Sequence, residues 1–225
     1  MKIQLSINGL TTEAYFNDEE IETVHKPLLK RLAELQQKLQ RRTVVFLSAP
    51  PGTGKSTLTA FWEWLAANDV NLPDLQSLPM DGFHYYNHQL DEAGTRKDKG
   101  APHTFNVTKL LSNLSELQED DATWPQYDRN LHDPVENDIQ VVAPLVIIEG
   151  NWLLLNQPEW LALEKYCDYA IFISAKPELL EKRLVGRKIQ GGLSEAQALD
   201  FYQSTDKKNV LTVLQGSRPA DLQLE

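Results

Sequence analysis

Apolar and polar positions change their period several times along the chain, and each change marks an element. Ile3, Leu5 and Ile7 alternate with polar residues, Asn8-Gly9 follows, and Leu10 leads into Ala14-Tyr15-Phe16. Alternation interrupted by Asn-Gly predicts a hairpin over residues 1–16. Ile21, Val24, Leu28, Leu32, Leu35 and Leu39 then recur at helical spacing, with Asp18 or a neighbour as the cap. Pro27 falls inside that stripe and predicts either a break or a helix whose first turn lies there. Residues 1–42 read as a hairpin-and-helix extension in front of a unit spanning 43–225.

In that unit the pattern shifts to short continuous apolar runs. Residues 43–47, 145–150 and 169–173 read as strands buried on both faces, as in a parallel sheet. Residues 75–80 give a less regular strand, and 209–214 suggest a last short one. Leu58, Phe61, Trp62 and Leu65 mark a helix that fades near Asn68, and Val107, Leu110, Leu111, Leu114 and Leu117 mark another. Lys176-Pro177-Glu178 opens a helix that packs through Leu179, Leu180 and Leu184; Gly191-Gly192 breaks it, and Ser194 starts a fresh one. Residues 152–155 and 160–163 read as packing around an intervening helix, and residues 124–134, without apolar periodicity, as a loop. Strands alternating with helices give the α/β class, a three-layer fold with a mainly parallel sheet.

Composition narrows the function. With 32 acidic against 22 basic side chains the net charge is −10, which disfavours nucleic-acid and anionic-membrane partners, so an anionic ligand needs a local basic site. The single cysteine, Cys167, excludes an internal disulfide framework and reads as a structural thiol. The first residues lack a basic stretch followed by an apolar one, and no run is long enough to span a bilayer; a cytoplasmic location is the expectation. Self-association of the extension, as a homodimer, stays open.

The chemistry concentrates at the ends of the strands. Between the strand at 43–47 and the following helix stands Ala49-Pro50-Pro51-Gly52-Thr53-Gly54-Lys55-Ser56-Thr57. Gly52 and Gly54 let the backbone N–H groups of residues 52–57 curl around phosphates, and the helix N-terminus adds partial positive charge. Lys55 is expected to reach the β and γ phosphates of ATP, and the Ser56 hydroxyl to ligate Mg²⁺. Alanine at position 49 replaces the glycine that usually opens this motif, at a modest expected cost.

Asp81, in Asp81-Gly82-Phe83-His84, ends the next strand, where open α/β sheets build chemistry. It suits a base for an attacking hydroxyl and a Mg²⁺ partner through water; an Asp-Gly turn is the plainer alternative. His84 and His88, four apart, would share a helical face, but Tyr85 stands where a zinc-protease pattern needs glutamate, which favours a substrate-pocket or packing role. Arg96, Lys97 and Lys99 form a basic run suited to a solvated loop or to a phosphorylated acceptor. Tyr127, Asp128, Arg129 and His132 offer polar groups that can orient a hydroxylated acceptor. Glu149 would lie beside Asp81 and the phosphate loop, able to hold Mg²⁺ waters or the acceptor hydroxyl. Arg183 and Arg187, four apart on one helix, form either a phosphate-neutralising pair or a charged outer face.

Taken together, Asp81-Gly82-Phe83-His84-Tyr85-Tyr86-Asn87, Lys97-Asp98-Lys99-Gly100-Ala101-Pro102 and Phe105-Asn106-Val107 resemble the P-loop kinase family of pantothenate kinase, uridine kinase and phosphoribulokinase, above all its nucleoside-kinase-like and fructose-transport-kinase-like branch. The resemblance covers roughly residues 43–221. It implies a P-loop NTPase fold, the base role on Asp81, a substrate-side position for Lys99 and Pro102, and a lid near 183–193 carrying the charge-neutralising arginine. The segment 127–132 resembles the uridine-kinase acceptor loop, whereas pantothenate kinases carry histidine at the position of Arg129. Related tails imply an adenine-side contact from residues 217–221. The expectation is ATP-dependent, Mg²⁺-assisted phosphoryl transfer to a hydroxylated small molecule. The competing class, a nucleotide-driven switch, lacks both the Asp-Glu strand end of many motor ATPases and an Asn-Lys-x-Asp guanine signature.

Overall fold

Five parallel strands form the central sheet of the computed structural model, which describes residues 1–7 and 10–225. In chain order the strands of the protein are β1 Lys2–Ile7, β2 Leu10–Tyr15, β3 Thr43–Ser48, β4 Leu75–Pro79, β5 Thr123–Asp128, β6 Asp133–Gln140, β7 Leu145–Gly150, β8 Tyr169–Ile173 and β9 Leu222–Leu224. The helices are α1 Asp18–Glu20, α2 Lys26–Leu39, α3 Lys55–Ala67, α4 Asn87–Glu92, α5 Val107–Glu116, α6 Pro158–Leu161, α7 Pro177–Gln190, α8 Glu195–Phe201 and α9 Lys207–Gly216. The central sheet runs β4-β7-β3-β8-β9, all pairs parallel, while β1-β2 and β5-β6 are separate antiparallel pairs.

Every residue of β3 is buried, as expected of a central strand covered on both faces. One face packs Phe46, Val146 and Ile148 against Leu110, Leu114, Trp152 and Trp160. The other packs Val45, Leu47 and Ile147 against Leu29, Leu32, Phe61 and Trp62, and this second core also takes Leu5 and Ala14 of the hairpin. The edge strand β4 is covered: the Glu63 carboxylate of α3 accepts the Ser77 N–H, and burial pushes that carboxyl above the ordinary glutamate value. Among the described residues, no helix is long and apolar enough to cross a membrane.

The structure changes several expectations. Residues 209–214 are not a strand but the middle of α9, whose Val210 and Val213 are buried on one side. Residues 124–134 are not an irregular loop: they belong to β5, β6 and their connection, with a bulge between Trp124 and Gln126 around Pro125. Pro27 breaks nothing, because it sits in the first turn of α2, after a π-turn at Ile21–His25 that continues from α1. The cap expected at Asp18 or a neighbour is Asn17, which accepts the Glu19 N–H at the start of α1. His84 precedes α4 and His88 lies within it, so they share no helical face. The Asn8-Gly9 turn lies outside the described residues. The break at Gly191-Gly192 and the Ser194 start both stand: α7 ends at Gln190, and Ser194 and Gln197 form a capping box on α8.

Candidate active site

The order β4-β7-β3 brings three strand ends side by side, about 4.8 Å apart. Leu47 and Pro79 both pair with Glu149, and Ser48 with Gly150, so the segments leaving β3, β4 and β7 meet at one place. From β3 the chain enters the phosphate loop. Gly52 and Gly54 take φ of 86° and 95°, backbone that L side chains avoid, whereas Ala49 is fully buried in ordinary backbone. Alanine therefore satisfies position 49, and the glycines are needed only where the loop curls. A Cβ on Gly52 would also lie 3.0 Å from Leu184 Cγ, because α7 packs directly over the loop.

Lys55 opens α3. Its Nζ donates to Asn151 Oδ1 at 2.6 Å and to the Ala49 carbonyl at 3.2 Å. Desolvation presses its ammonium below the ordinary lysine value, against the pull of Glu149 and Asp81. Ser56 Oγ donates to Glu149 Oε1 at 2.6 Å. Burial pushes the Glu149 carboxyl above its ordinary range, opposed by Lys55 and reinforced by Asp81. Asp81 itself is exposed, one residue beyond Met80 at the start of a 3-10 turn, and its charge reaches Lys55, Glu149, His84 and Tyr127.

Gly82 follows Asp81 for a reason beyond turn geometry. A Cβ there would lie 2.2 Å from the Pro125 carbonyl oxygen, so only glycine admits the β5-β6 hairpin beside the Asp81 turn. Trp124 Nε1 fixes the approach by donating to the Pro79 carbonyl at 2.9 Å. Gly150 is equally constrained, with a Cβ falling 2.6 Å from Met80 Cβ. His84 Nδ1 lies 2.7 Å from the Asp81 carbonyl, which can only accept, so Nδ1 carries the proton and Nε2 is left as an acceptor. Burial holds this imidazole below the usual histidine value, and it packs on Phe105 and Tyr127 at centroid distances of 3.9 and 5.2 Å.

On the hairpin side, Lys99 Nζ donates to Asn87 Oδ1 at 2.5 Å and to the His132 carbonyl at 2.7 Å, lies 3.5 Å from Asp133 Oδ1, and sits 4.9 Å from the Tyr127 ring centroid. Desolvation lowers its ammonium, with Asp133 opposing. Lys99 is thus a staple between α4 and the hairpin, committed to protein acceptors. Tyr127 Oη donates to the same His132 carbonyl at 2.8 Å, and burial pushes its phenol up to about 12. His132 contributes its carbonyl, with φ of 55°, while the residue is exposed. Arg129 is exposed and makes no ion pair among the described residues, yet its charge reaches Glu149 and Tyr127.

Two clefts meet the first turn of α3. One, of about 580 Å³, holds Ser56, Glu149, Pro79 and Gln126. The other, of about 1200 Å³, is lined by Gly52, Thr53, Gly54, Thr57 and Arg183, and extends to β2 and β9. Arg183 Nη1 donates to the Gly52 and Thr53 carbonyls at 3.3 and 3.2 Å, and Arg187 lies close enough for its charge to disfavour that of Lys55. Arg183 therefore stands at the loop, and Arg187 is exposed one turn further along the same helix. Within the tail, Asp221 accepts the N–H of Ala170, near the amino end of β8, and the residues that follow, Gln223, Leu224 and Glu225, line the larger cleft. Cys167 is half-buried, its thiol pushed up to about 12 by burial, the environment of a structural thiol.

Asn151 is the participant that sequence reading missed. Its only signal is position, two residues past Glu149 on the strand next to β3. The side chains suit a hard cation, since Ser56 Oγ and the Glu149 and Asp81 carboxylates are all oxygen donors.

No family model matches the chain. It is 58% identical over 226 residues to the uncharacterised protein YggC of Escherichia coli K12, covering all of this chain and 95% of that one. It is 30% identical over 213 residues to a Schizosaccharomyces pombe protein named putative uridine kinase, with 88% of each covered. The crystal structure of a putative fructose transport system kinase from Silicibacter sp. TM1040 matches with a TM-score of 0.77 at 32% identity, over 86% of this chain and 98% of that one. With its phosphate loop, its strand-end carboxylates and these relatives, the chain belongs to the P-loop kinase family of uridine kinase, pantothenate kinase and phosphoribulokinase.

Proposed function

We propose that this chain is an ATP-dependent kinase that transfers the γ-phosphoryl group to a hydroxyl of a small metabolite of the nucleoside, pantothenate-like, sugar or sugar-phosphate class. The observation that carries the reading is the convergence of Lys55, Ser56, Glu149 and Asp81 at adjoining strand ends. The loop amides of residues 52–57 cradle the phosphates, and Lys55, aimed by Asn151, compensates charge on the transferred group. Ser56, Glu149 and Asp81 would hold Mg²⁺, which when bound would supply charge neutralisation for the phosphates. Asp81 takes the acceptor proton as the acceptor oxygen bonds to the γ-phosphorus and the bond to the bridging oxygen breaks, releasing ADP. Arg183 and Arg187 follow the loop from α7 and stabilise the equatorial charge. Arg129 and Tyr127 sit on the acceptor side, where Arg129 is suited to a polar or anionic acceptor.

The test is a panel of nucleosides, pantothenate, sugars and sugar phosphates, scored by acceptor-dependent ADP release and product mass. One class is expected to stimulate release and gain a phosphoryl group. ADP release stimulated by no small molecule, but by a protein partner, would replace the kinase reading with the switch.

A further inference from the structure

The cleft of about 1200 Å³ is larger than the phosphate cradle at its inner end. Beyond the loop residues its lining includes β2, from the N-terminal hairpin, together with Ser174, Ala175 and Gln223. The β2 side of the lining is fixed relative to the loop. Phe16 stacks on Phe61 of α3, with centroids 3.7 Å apart and planes 10° apart, and α3 is the helix that begins in the phosphate loop. His25 braces the same contact edge-on and accepts the Trp62 indole N–H at 3.2 Å.

The hairpin turns hydrogen-bonding groups toward this cleft. Phe16 N–H donates to the Met1 carbonyl at 2.9 Å, and the Met1 ammonium donates back to the Phe16 carbonyl at 2.7 Å, a reciprocal pair. Reciprocal pairs alternate along an antiparallel ladder, so Ile3–Ala14 and Leu5–Thr12 exchange bonds while Lys2–Tyr15 and Gln4–Glu13 do not. The main-chain N–H and C=O of Glu13 and Tyr15 therefore point away from β1, to the free edge of β2. Glu13 and Tyr15 both line the cleft, and Tyr15 is 79% exposed, a large aromatic in no ring pair among the described residues. Lys176 and Arg183 are the basic side chains of the lining, whereas Glu13 and Glu20 of the extension and Glu225 of the tail are acidic, with Glu13 paired to Lys2 at 2.8 Å. The β2 side is unsuited to more phosphate and suited to an uncharged ring with an amino group to donate.

We propose that β2 is the base-recognition wall of the nucleotide site: the base of the triphosphate lies in this cleft, its ring against Tyr15 and its edge on the free main-chain groups of Glu13 and Tyr15. The inference rests on the kinase reading for its triphosphate and gives the extension a direct part in choosing the donor. It implies that the nucleoside adds binding that phosphates alone lack, and that this addition depends on the hairpin.

The experiment compares Mg²⁺–ATP with Mg²⁺–tripolyphosphate on the wild type and on Tyr15→Ala, by calorimetry and by hydrogen exchange of residues 12–16. In the wild type, ATP is expected to bind more tightly than tripolyphosphate, and only ATP to slow exchange in that segment. Tyr15→Ala is expected to weaken ATP about tenfold, the scale of one lost base–aromatic stack, and to leave tripolyphosphate unchanged. Equal affinity for the two ligands, unprotected residues 12–16, or wild-type ATP affinity in Tyr15→Ala overturns the base wall while leaving the phosphate loop intact. Failure of both ligands to bind the wild type overturns the kinase reading and this inference together.

Discussion

Lys55 Nζ and Asn151 Oδ1 lie 2.6 Å apart, joining the first residue of the helix after β3 to the residue that follows β7. The lysine is thereby aimed before any phosphate arrives, and the remaining acceptors of its ammonium are loop carbonyls at 3.2 and 3.5 Å. Asn151→Ala should leave the fold intact and lower kcat/KM by about 10- to 100-fold, the scale of losing a hydrogen bond to a charged group. Steady-state kinetics beside an unchanged circular dichroism spectrum would check it; wild-type turnover would show that Lys55 needs no tether.

Asp81→Asn separates chemistry from binding. It should cut transfer by about 10²- to 10⁴-fold, the usual range for a general base, while ATP affinity stays near wild type. Lys55→Ala should impair both. Nucleotide titration paired with an ADP-release assay distinguishes them, and normal acceptor phosphorylation by the Asp81 variant removes its base role.

Two glycines should respond in opposite directions to the same added methyl. In Gly82→Ala the methyl meets the Pro125 carbonyl at 2.2 Å, so the hairpin must move; about 1–3 kcal/mol of stability should be lost, along with activity. Gly186 lies inside α7 with nothing within 4 Å of an added Cβ, and Gly186→Ala should add about 0.5–1 kcal/mol. Urea denaturation of the two variants measures both signs.

Glu63 should make stability depend on pH. Its folded carboxyl is raised above the ordinary 4.5 by burial, so the folded chain keeps this proton at pH values where the unfolded chain has lost it. The associated stability is fully present below about pH 4.5 and is lost as pH rises through the folded value. Glu63→Gln retains a carbonyl to accept the Ser77 N–H and has no proton to lose. Between pH 5 and 8 the wild type should therefore lose stability relative to Glu63→Gln, read from unfolding midpoints; parallel curves would mean that Glu63 contributes no slope.

The phosphate loop and the buried strands were legible because their signals are local. Gly52 and Gly54 mark the curl in the backbone, and continuous apolar runs mark β3, β7 and β8. Residues 209–214 misled because one asparagine followed by five β-branched and leucine residues is too short a window for period; Val210 and Val213 pack as i and i+3 of a helix that begins at Lys207. The β5-β6 hairpin was hidden because Pro125 and its bulge interrupt alternation, and because its anchors, Pro79 and Gly82, lie more than forty residues earlier. Lys99 and His132 carried residue types expected to face a substrate; the structure adds what sequence does not show, that the Lys99 ammonium bonds Asn87 and the His132 main-chain carbonyl, while His132 is exposed. Asn151 could be recognised only once the sheet order placed β7 beside β3. Pairings between distant segments are what a single sequence leaves unstated.

The register of β7 against β3 and β4 works as a ruler divided in peptide units. Leu47 and Pro79 both face Glu149, and a slip of one residue would turn that carboxylate through to the other side of the sheet, away from Ser56. Main-chain bonds thus set the aim of the Glu149 carboxylate, and side-chain substitutions can change its strength but not its direction. The β5-β6 hairpin, a separate sheet hung beside Pro79 by the Trp124 indole, carries no such graduation. Substitutions in that hairpin can therefore reshape its surface without moving the ruler.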